Sequence, residues 1–197
     1  LSRFQNAADV LAKAGKNINR EYKQSLEKMW NYIAYTIRPD GRIPLNNDSD
    51  AKNMSNRLVT KAKEYNRPDW SYIATNGEVG TQPQGLTSQI FPWAGHLITR
   101  NGWSRDAHWG FFDIGPWGLS HQHNDKLHLF VTAYGRDLLV DSGRFAYQGK
   151  VAEKFRGLYG VHSRGHNVIL IDGQGQKSGP KVIDKPLAKD TYEINQE

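Results

Sequence analysis

Cysteine is absent from the 197 residues. That excludes disulfide bonds, thiolate-ligated zinc and thiol nucleophiles, and leaves any metal to histidine and carboxylate ligands. Long apolar runs are missing as well: no window approaches the 18 or so consecutive apolar residues of a membrane-spanning helix, so no membrane insertion is expected. The opening Leu1-Ser2-Arg3-Phe4 lacks the basic stretch and apolar run of a signal peptide. Internal repeats, low-complexity tracts, an arginine-rich arm, a zinc finger and an RNA-binding aromatic signature are all lacking, which argues against nucleic acid as a partner. Charge is nevertheless unbalanced, with 26 Lys and Arg against 20 Asp and Glu, a net charge of +6. An excess of that sign suits an acidic partner such as nucleic acid, an anionic membrane or an anionic glycan.

What is present divides into two halves. Tyr22, Leu26, Met29, Trp30, Ile33 and Ile37 recur at helical spacing and predict a helix over residues 20–37 that stops at Arg38, before Pro39 and the Asp40-Gly41 turn. An earlier helix is expected around Arg3 to Ala14, ended by Gly15. A third, with Asp48, Ser49 or Asp50 as N-cap, follows from the spacing of Ala51, Met54, Leu58, Ala62 and Tyr65, and a fourth starts at Pro68. From Gly77 to Ser88 the composition turns to Gly, Thr, Gln and Pro. Short apolar runs then follow at His96 to Arg100, Ala107 to Ile114, Lys126 to Tyr134, Asp137 to Asp141 and Asn167 to Asp172, which read as strands, with Gly135-Arg136 as a hairpin turn. Thr191 to Ile194 reads as the beginning of another.

The expected organisation is therefore a helical segment over 1–76, a linker over 77–90 and an antiparallel β-sandwich segment over 91–197, an α+β chain. Neither half closes a core of its own on this reading, so the chain is expected to be an internal section of a larger enzyme or one product of a split gene.

All seven histidines fall in the second half. The densest stretch is Ser120-His121-Gln122-His123-Asn124-Asp125, where the two imidazoles share a face if the backbone is extended. Such a pair binds one metal jointly, or one ring binds while the other moves a proton. His166, just before the run Val168 to Ile171, and Asp141, after an apolar strand, complete a candidate two-histidine, one-carboxylate site. Simple register about a Gly135-Arg136 turn sets Asp141 opposite Phe130, on the face of His128. A bulge, or His123 lying in a loop, is needed to bring His123 and Asp141 together. Tyr147 and Tyr159 are candidates for proton transfer, with Arg144, Arg156 and Arg164 near them in sequence; Arg144 and Arg164 are the candidate substrate-binding residues. Trp93, Trp103, Trp109 and Trp117 are read as packing residues.

These pieces in order, Pro39-Asp40-Gly41-Arg42-Ile43-Pro44 with Asp48-Ser49-Asp50, then His121-Gln122-His123-Asn124-Asp125, then Leu138 to Gly143 with Tyr147, then Ser163 to Val168, resemble the heparinase II/III-type polysaccharide lyases across nearly the whole chain. The resemblance implies the last helices of an α/α toroid leading into the first part of an antiparallel β-sandwich. It implies a parent enzyme that breaks uronic-acid-containing polysaccharide by β-elimination, in the periplasm or outside the cell. His121 resembles the sandwich histidine of the active centre, Tyr159 resembles an assisting tyrosine, and His123, Asp141 and His166 resemble ligands of a structural zinc. The toroid tyrosine and carboxylate neutraliser of such enzymes lie upstream of the matching stretch. This chain alone is therefore expected to be inactive without the remainder of the parent chain or a complementary subunit. Two other readings stand beside this one: a non-catalytic carbohydrate-binding or scaffolding section with a structural metal, and a metal-dependent oxygenase or hydrolase using His121, His123 and His166.

Overall fold

The computed structural model describes residues 1–194. Four helices come first: α1 (Ser2–Lys13), α2 (Arg20–Thr36), α3 (Ser55–Glu64) and α4 (Pro68–Ala74). The Asn19 side chain caps α2 by accepting the amide of Tyr22 at 2.8 Å. Its far end comes at Thr36, two residues sooner than Pro39 alone demands, because Ile37 has already left helical backbone, with ψ of 136°. Buried Arg100 reaches across from the second half to donate to the Ile37 carbonyl. α3 begins several residues later than the Asp48-Ser49-Asp50 run predicts. Asn53, not an aspartate of that run, accepts the amide of Ser55 at 3.0 Å. Asp48 and Asp50 are instead engaged by arginines and histidines of the second half.

Trp30, Ala34, Ile37, Leu58, Ala62, Trp70 and Ile73 form one apolar cluster, which Trp103, from a loop between strands, joins. Tyr35 meets Trp103 edge-on at 5.7 Å. Two further buried polar ties hold this cluster: Trp30 Nε1 donates to Gln5 at 2.8 Å, and Trp70 Nε1 to Asn31 at 3.1 Å. Trp103 thus ties the strand half to the helical cluster, while the sheet keeps a buried cluster of its own.

The sheet is a five-stranded antiparallel meander in chain order: β1 (Gln89–Phe91), β2 (His96–Arg100), β3 (Trp109–Asp113), β4 (Leu129–Ala133) and β5 (Arg136–Leu139). β1 begins inside the stretch expected to be linker. Ile98, Trp109, Phe111 and Phe130 make its buried face, against Leu45 from the loop after α2. The β4–β5 turn is formed by Tyr134-Gly135, one residue earlier than expected, with φ of 54° and 69°. Positive φ at both central residues is the backbone twist a two-residue hairpin favours. Ala133 then pairs with Arg136 and Thr132 with Asp137. A bulge at Val131/Thr132 shifts Leu139 opposite Val131.

Three further features differ from expectation. Residues 167–172 do not form a strand: Asn167 instead bonds the carbonyls of Leu129 and Val140 through its side chain, and Ile171 makes only a bridge to Gln174. An apolar run becomes a strand only where a neighbouring strand takes its backbone groups. Residues 189–191 form a 3-10 turn, not the start of a strand. A short helix, α5 (Lys150–Phe155), continues into a π-helical turn over Arg156–Gly160, in a stretch for which the sequence reading assigns no element.

Candidate functional site

Asp48 is the hub. It sits in the loop between α2 and α3, with its side chain only 6% exposed. Four residues of the second half converge on its carboxylate: Arg156 with both terminal nitrogens, His121 Nδ1 at 2.6 Å, His123 Nε2 at 3.0 Å and the Tyr147 hydroxyl at 2.8 Å. Burial works to raise its pKa, but the hydrogen bonds from Arg156, His121, His123 and Tyr147 outweigh it and hold the group well below the usual carboxylate range.

An ionised acceptor at this point fixes two tautomers. Accepting from Nδ1–H of His121 leaves Nε2 of that ring free. His121 is exposed and lines a cleft of about 530 Å³ between the helical and strand halves, shared with Tyr32, Asn46, His96 and Tyr147. The backbone at His121 has φ of 58°, and the amide of His123 is taken by Asn47 Oδ1 at 2.7 Å, so the Asn46-Asn47-Asp48 loop sets the local path of the chain. In the same cleft Tyr32 bonds His96 Nδ1 at 2.7 Å, and burial pushes the His96 pKa down to about 4, so the ring is neutral at neutral pH.

Accepting from Nε2–H of His123 likewise leaves its Nδ1 as a lone pair. That atom is buried and has no hydrogen-bond partner. His166 is arranged in mirror fashion: its Nδ1 bonds Asp141, and its buried Nε2 is unpartnered. Burial disfavours the charged form of His166, but the Asp141 hydrogen bond and charge outweigh it and raise its pKa. A third buried orphan, Asp125 Oδ2, completes the set. Ligand atoms of His123, Asp125 and His166 lie within 4.8 Å of one another, as do those of His128, Asp141 and His166. Buried polar atoms without partners are rare and costly, and three of them gathered here make the group a candidate cation site. The donor set, two imidazoles and a carboxylate, suits zinc.

The expected site residues fare unequally. His121 and His123 share Asp48, and His123 sits in the loop before β4, where the turn through Leu127 at φ 67° lets it approach His166 to 5.1 Å between ring centroids. Asp141 does reach His166. It does so through Nδ1, whereas the carboxylate gathered with the His123 and His166 ligand atoms is Asp125. Tyr159 stands outside the cleft, packed on Phe155 at 5.4 Å beside Val151 and Leu158; Tyr147 is the tyrosine bonded to Asp48. Arg144 is paired with Asp50 and lies over the Tyr147 ring, and Arg164 bonds the Gly173 carbonyl. Sequence reasoning missed Asp48, Asp125 and Arg156 as site residues. The signal for the first two was adjacency to the motifs already singled out.

A family model described as "Heparinase II/III-like, C-terminal" matches residues 83–194. The chain belongs to this family. Among curated relatives, a heparin-sulfate lyase of Bacteroides stercoris is 30% identical over 141 residues, 66% of this chain and 20% of that enzyme. One of Pedobacter heparinus is 28% identical over 188 residues, 85% of this chain and 27% of that enzyme. This heparinase II/III-like chain thus spans roughly a fifth to a quarter of the relatives it matches. The crystal structure of heparan sulfate lyase HepC from Pedobacter heparinus superimposes with a TM-score of 0.71 at 25% identity, covering 87% of this chain and 27% of that one. The α+β arrangement of helices followed by an antiparallel sheet is accordingly that of the heparinase structures.

Proposed function

We propose that this chain is a section of a polysaccharide lyase that cleaves heparan-sulfate-type anionic polysaccharide by β-elimination, and that His121 is its proton-transfer residue here. In that reaction a base takes the uronate C5 proton, the C4–O bond breaks as the electron pair forms a C4–C5 double bond, and the departing oxygen receives a proton. No covalent nucleophile is needed, only matched proton carriers and charge neutralisation. The observation that carries the reading is the Asp48–His121 pair: a buried carboxylate holds Nδ1–H and turns Nε2 to an open cleft. Tyr147, within 3.2 Å of His121 Nδ1 and bonded to the same carboxylate, stiffens the arrangement.

The names of the relatives support the substrate class, and the chain's positive charge suits it. Arg144 and Arg164 belong to the same reading as contacts for substrate anions, Arg144 after exchanging Asp50 for the glycan. A polysaccharide substrate of this kind is consistent with a periplasmic or secreted enzyme. His123, Asp125 and His166 would hold a zinc ion, with Asp48 and Asp141 orienting the two rings from behind. Its contribution is structural: it joins the loop before β4 to the segment after the π-helical turn.

The test is made in the parent enzyme. His121→Ala lowers the rate of unsaturated uronate formation, followed by ultraviolet absorbance, by about 10²–10⁴-fold, the scale of a lost general acid or base. Near-wild-type turnover overturns the assignment. The present chain alone, lacking the toroid groups the resemblance places upstream, yields no more than trace turnover in the same assay.

A further inference from the structure

Away from the histidine cleft, at the hairpin end of β4 and β5, four arginines surround a small cavity of about 110 Å³: Arg38, Arg42, Arg105 and Arg136, with Asp40 and Asp137. Thr132, which pairs with Asp137, stands four residues along the chain from His128, roughly 13 Å at strand rise, so this site and the metal cluster occupy opposite ends of β4. The count of charges leaves an excess of two positive.

The arginines are not equivalent. Arg38 has a side chain only 1% exposed, with its guanidinium 4.6 Å above the Phe130 ring and its Nη2 bonded to Asp137. Arg42 is tied to Asp40. The side chains of Arg105 and Arg136, both exposed, make no hydrogen bond or ion pair among the described residues. Two buried polar atoms of the lining residues are also unpartnered: Arg38 Nε and Thr132 Oγ1. A buried guanidinium N–H and a buried hydroxyl left without acceptors beside two free cations form a donor set without an acceptor.

The geometry points to a binding site for a tetrahedral oxyanion, filled by a sulfate ester of a polysaccharide chain. The cavity is several times the ~30 Å³ share of a water molecule, room enough for such a group and too little for a sugar ring. Arg38 Nε–H and Thr132 Oγ–H supply directed bonds from the floor. Arg105 and Arg136 close over the anion from the rim, and planar guanidinium forks match its oxygens. The ester form is favoured over a free ion because the rim is open: a sugar carrying the sulfate stays in solvent while the sulfate alone enters. The site would then grip a sulfated chain at a point separate from the one where it is cut.

The experiment uses the full chain labelled with ¹⁵N and three probes: a sulfated heparin-type disaccharide, the same disaccharide without sulfate, and sodium sulfate. The readouts are the Gly135 amide and the Nε–H signals of Arg38 and Arg136, which report this end of the sheet and not the histidine cleft. The sulfated disaccharide shifts all three signals saturably, the unsulfated one binds at least tenfold more weakly, and an Arg105→Ala/Arg136→Ala double variant weakens binding at least tenfold while keeping the wild-type spectrum elsewhere. Sodium sulfate binding as tightly as the disaccharide would overturn the glycan source and leave a small-anion site. Shifts confined to the His121 side, or equal affinity in the double variant, would overturn the site itself. None of these readouts depends on lyase turnover, so failure here and failure of the lyase reading remain distinguishable.

Discussion

Replacing Asp48 by Ala removes both the acceptor oxygens of the hub and its charge. All five bonds on the carboxylate are then lost. Exposure decides what each loss costs. His121 and Tyr147 are exposed and Arg156 a quarter exposed, so water replaces their partner cheaply; His123 is fully enclosed and its Nε2–H cannot be rehydrated. Stranding one buried donor costs about 1–3 kcal/mol, and weakening the Arg156 pair adds about 1. A total of about 2–4 kcal/mol follows, which for a chain of this size lowers the melting temperature by about 4–16 °C. Thermal and urea unfolding of wild type and Asp48→Ala at neutral pH measure it. A variant within about 0.5 kcal/mol of wild type would refute the hub, since that is the range of an ordinary surface substitution.

Three further outcomes follow from the same geometry. In the parent enzyme Tyr147→Phe slows turnover while Tyr159→Phe leaves it unchanged, and steady-state rates of the two variants decide between the tyrosines. Protein prepared without a histidine tag in zinc-containing medium carries about one zinc per chain by metal analysis; chelation lowers its melting temperature, and Asp125→Ala or His166→Ala abolishes both effects, whereas an Asp125→Ala chain that keeps its zinc would return the ligand role to Asp141. Asp40→Asn costs about 1–2 kcal/mol at neutral pH: burial raises the Asp40 pKa, but Arg42 and Arg38 outweigh it and hold the group below its unfolded value, so its stabilisation exists above pH ~4 and is lost as pH falls through the folded value. The penalty of that variant therefore shrinks in acid, and a penalty that does not change with pH would contradict the pairing.

What the sequence makes legible follows the range of the interactions involved. α2 and α4 are readable because helix periodicity, the stop at Pro39 and the start at Pro68 each act within a few residues. β2 is readable to its ends, and the β4–β5 hairpin to within one residue, because Gly135 limits where a two-residue turn can sit. The third helix is misplaced for an instructive reason. Asp48 and Asp50 have the chemistry of N-caps, yet Asp48 is bonded to residues 73 to 108 positions away. A local rule cannot see a partner at that separation, and a charge-assisted bond to a partly buried arginine outweighs a cap worth about 1 kcal/mol.

Interaction range governs the candidate site as well. His121-Gln122-His123 is visible because both rings lie in one short segment, and His166 because it shortly precedes an apolar run. The choice between Asp125 and Asp141 is not visible, because it depends on which nitrogen of His166 each carboxylate meets. That in turn depends on the bulge at Val131/Thr132 and the left-handed turn at Leu127, which together set where the chain leaves β5 and enters β4. A one-residue change of register exchanges the faces of a strand. Here the bulge leaves Asp141 behind His166, where it holds the ring, and leaves Asp125 with His123 in front of it. The carboxylate that resembles a ligand thus bonds Nδ1 of His166, while Asp125 offers a ligand atom within 4.8 Å of those of His123 and His166.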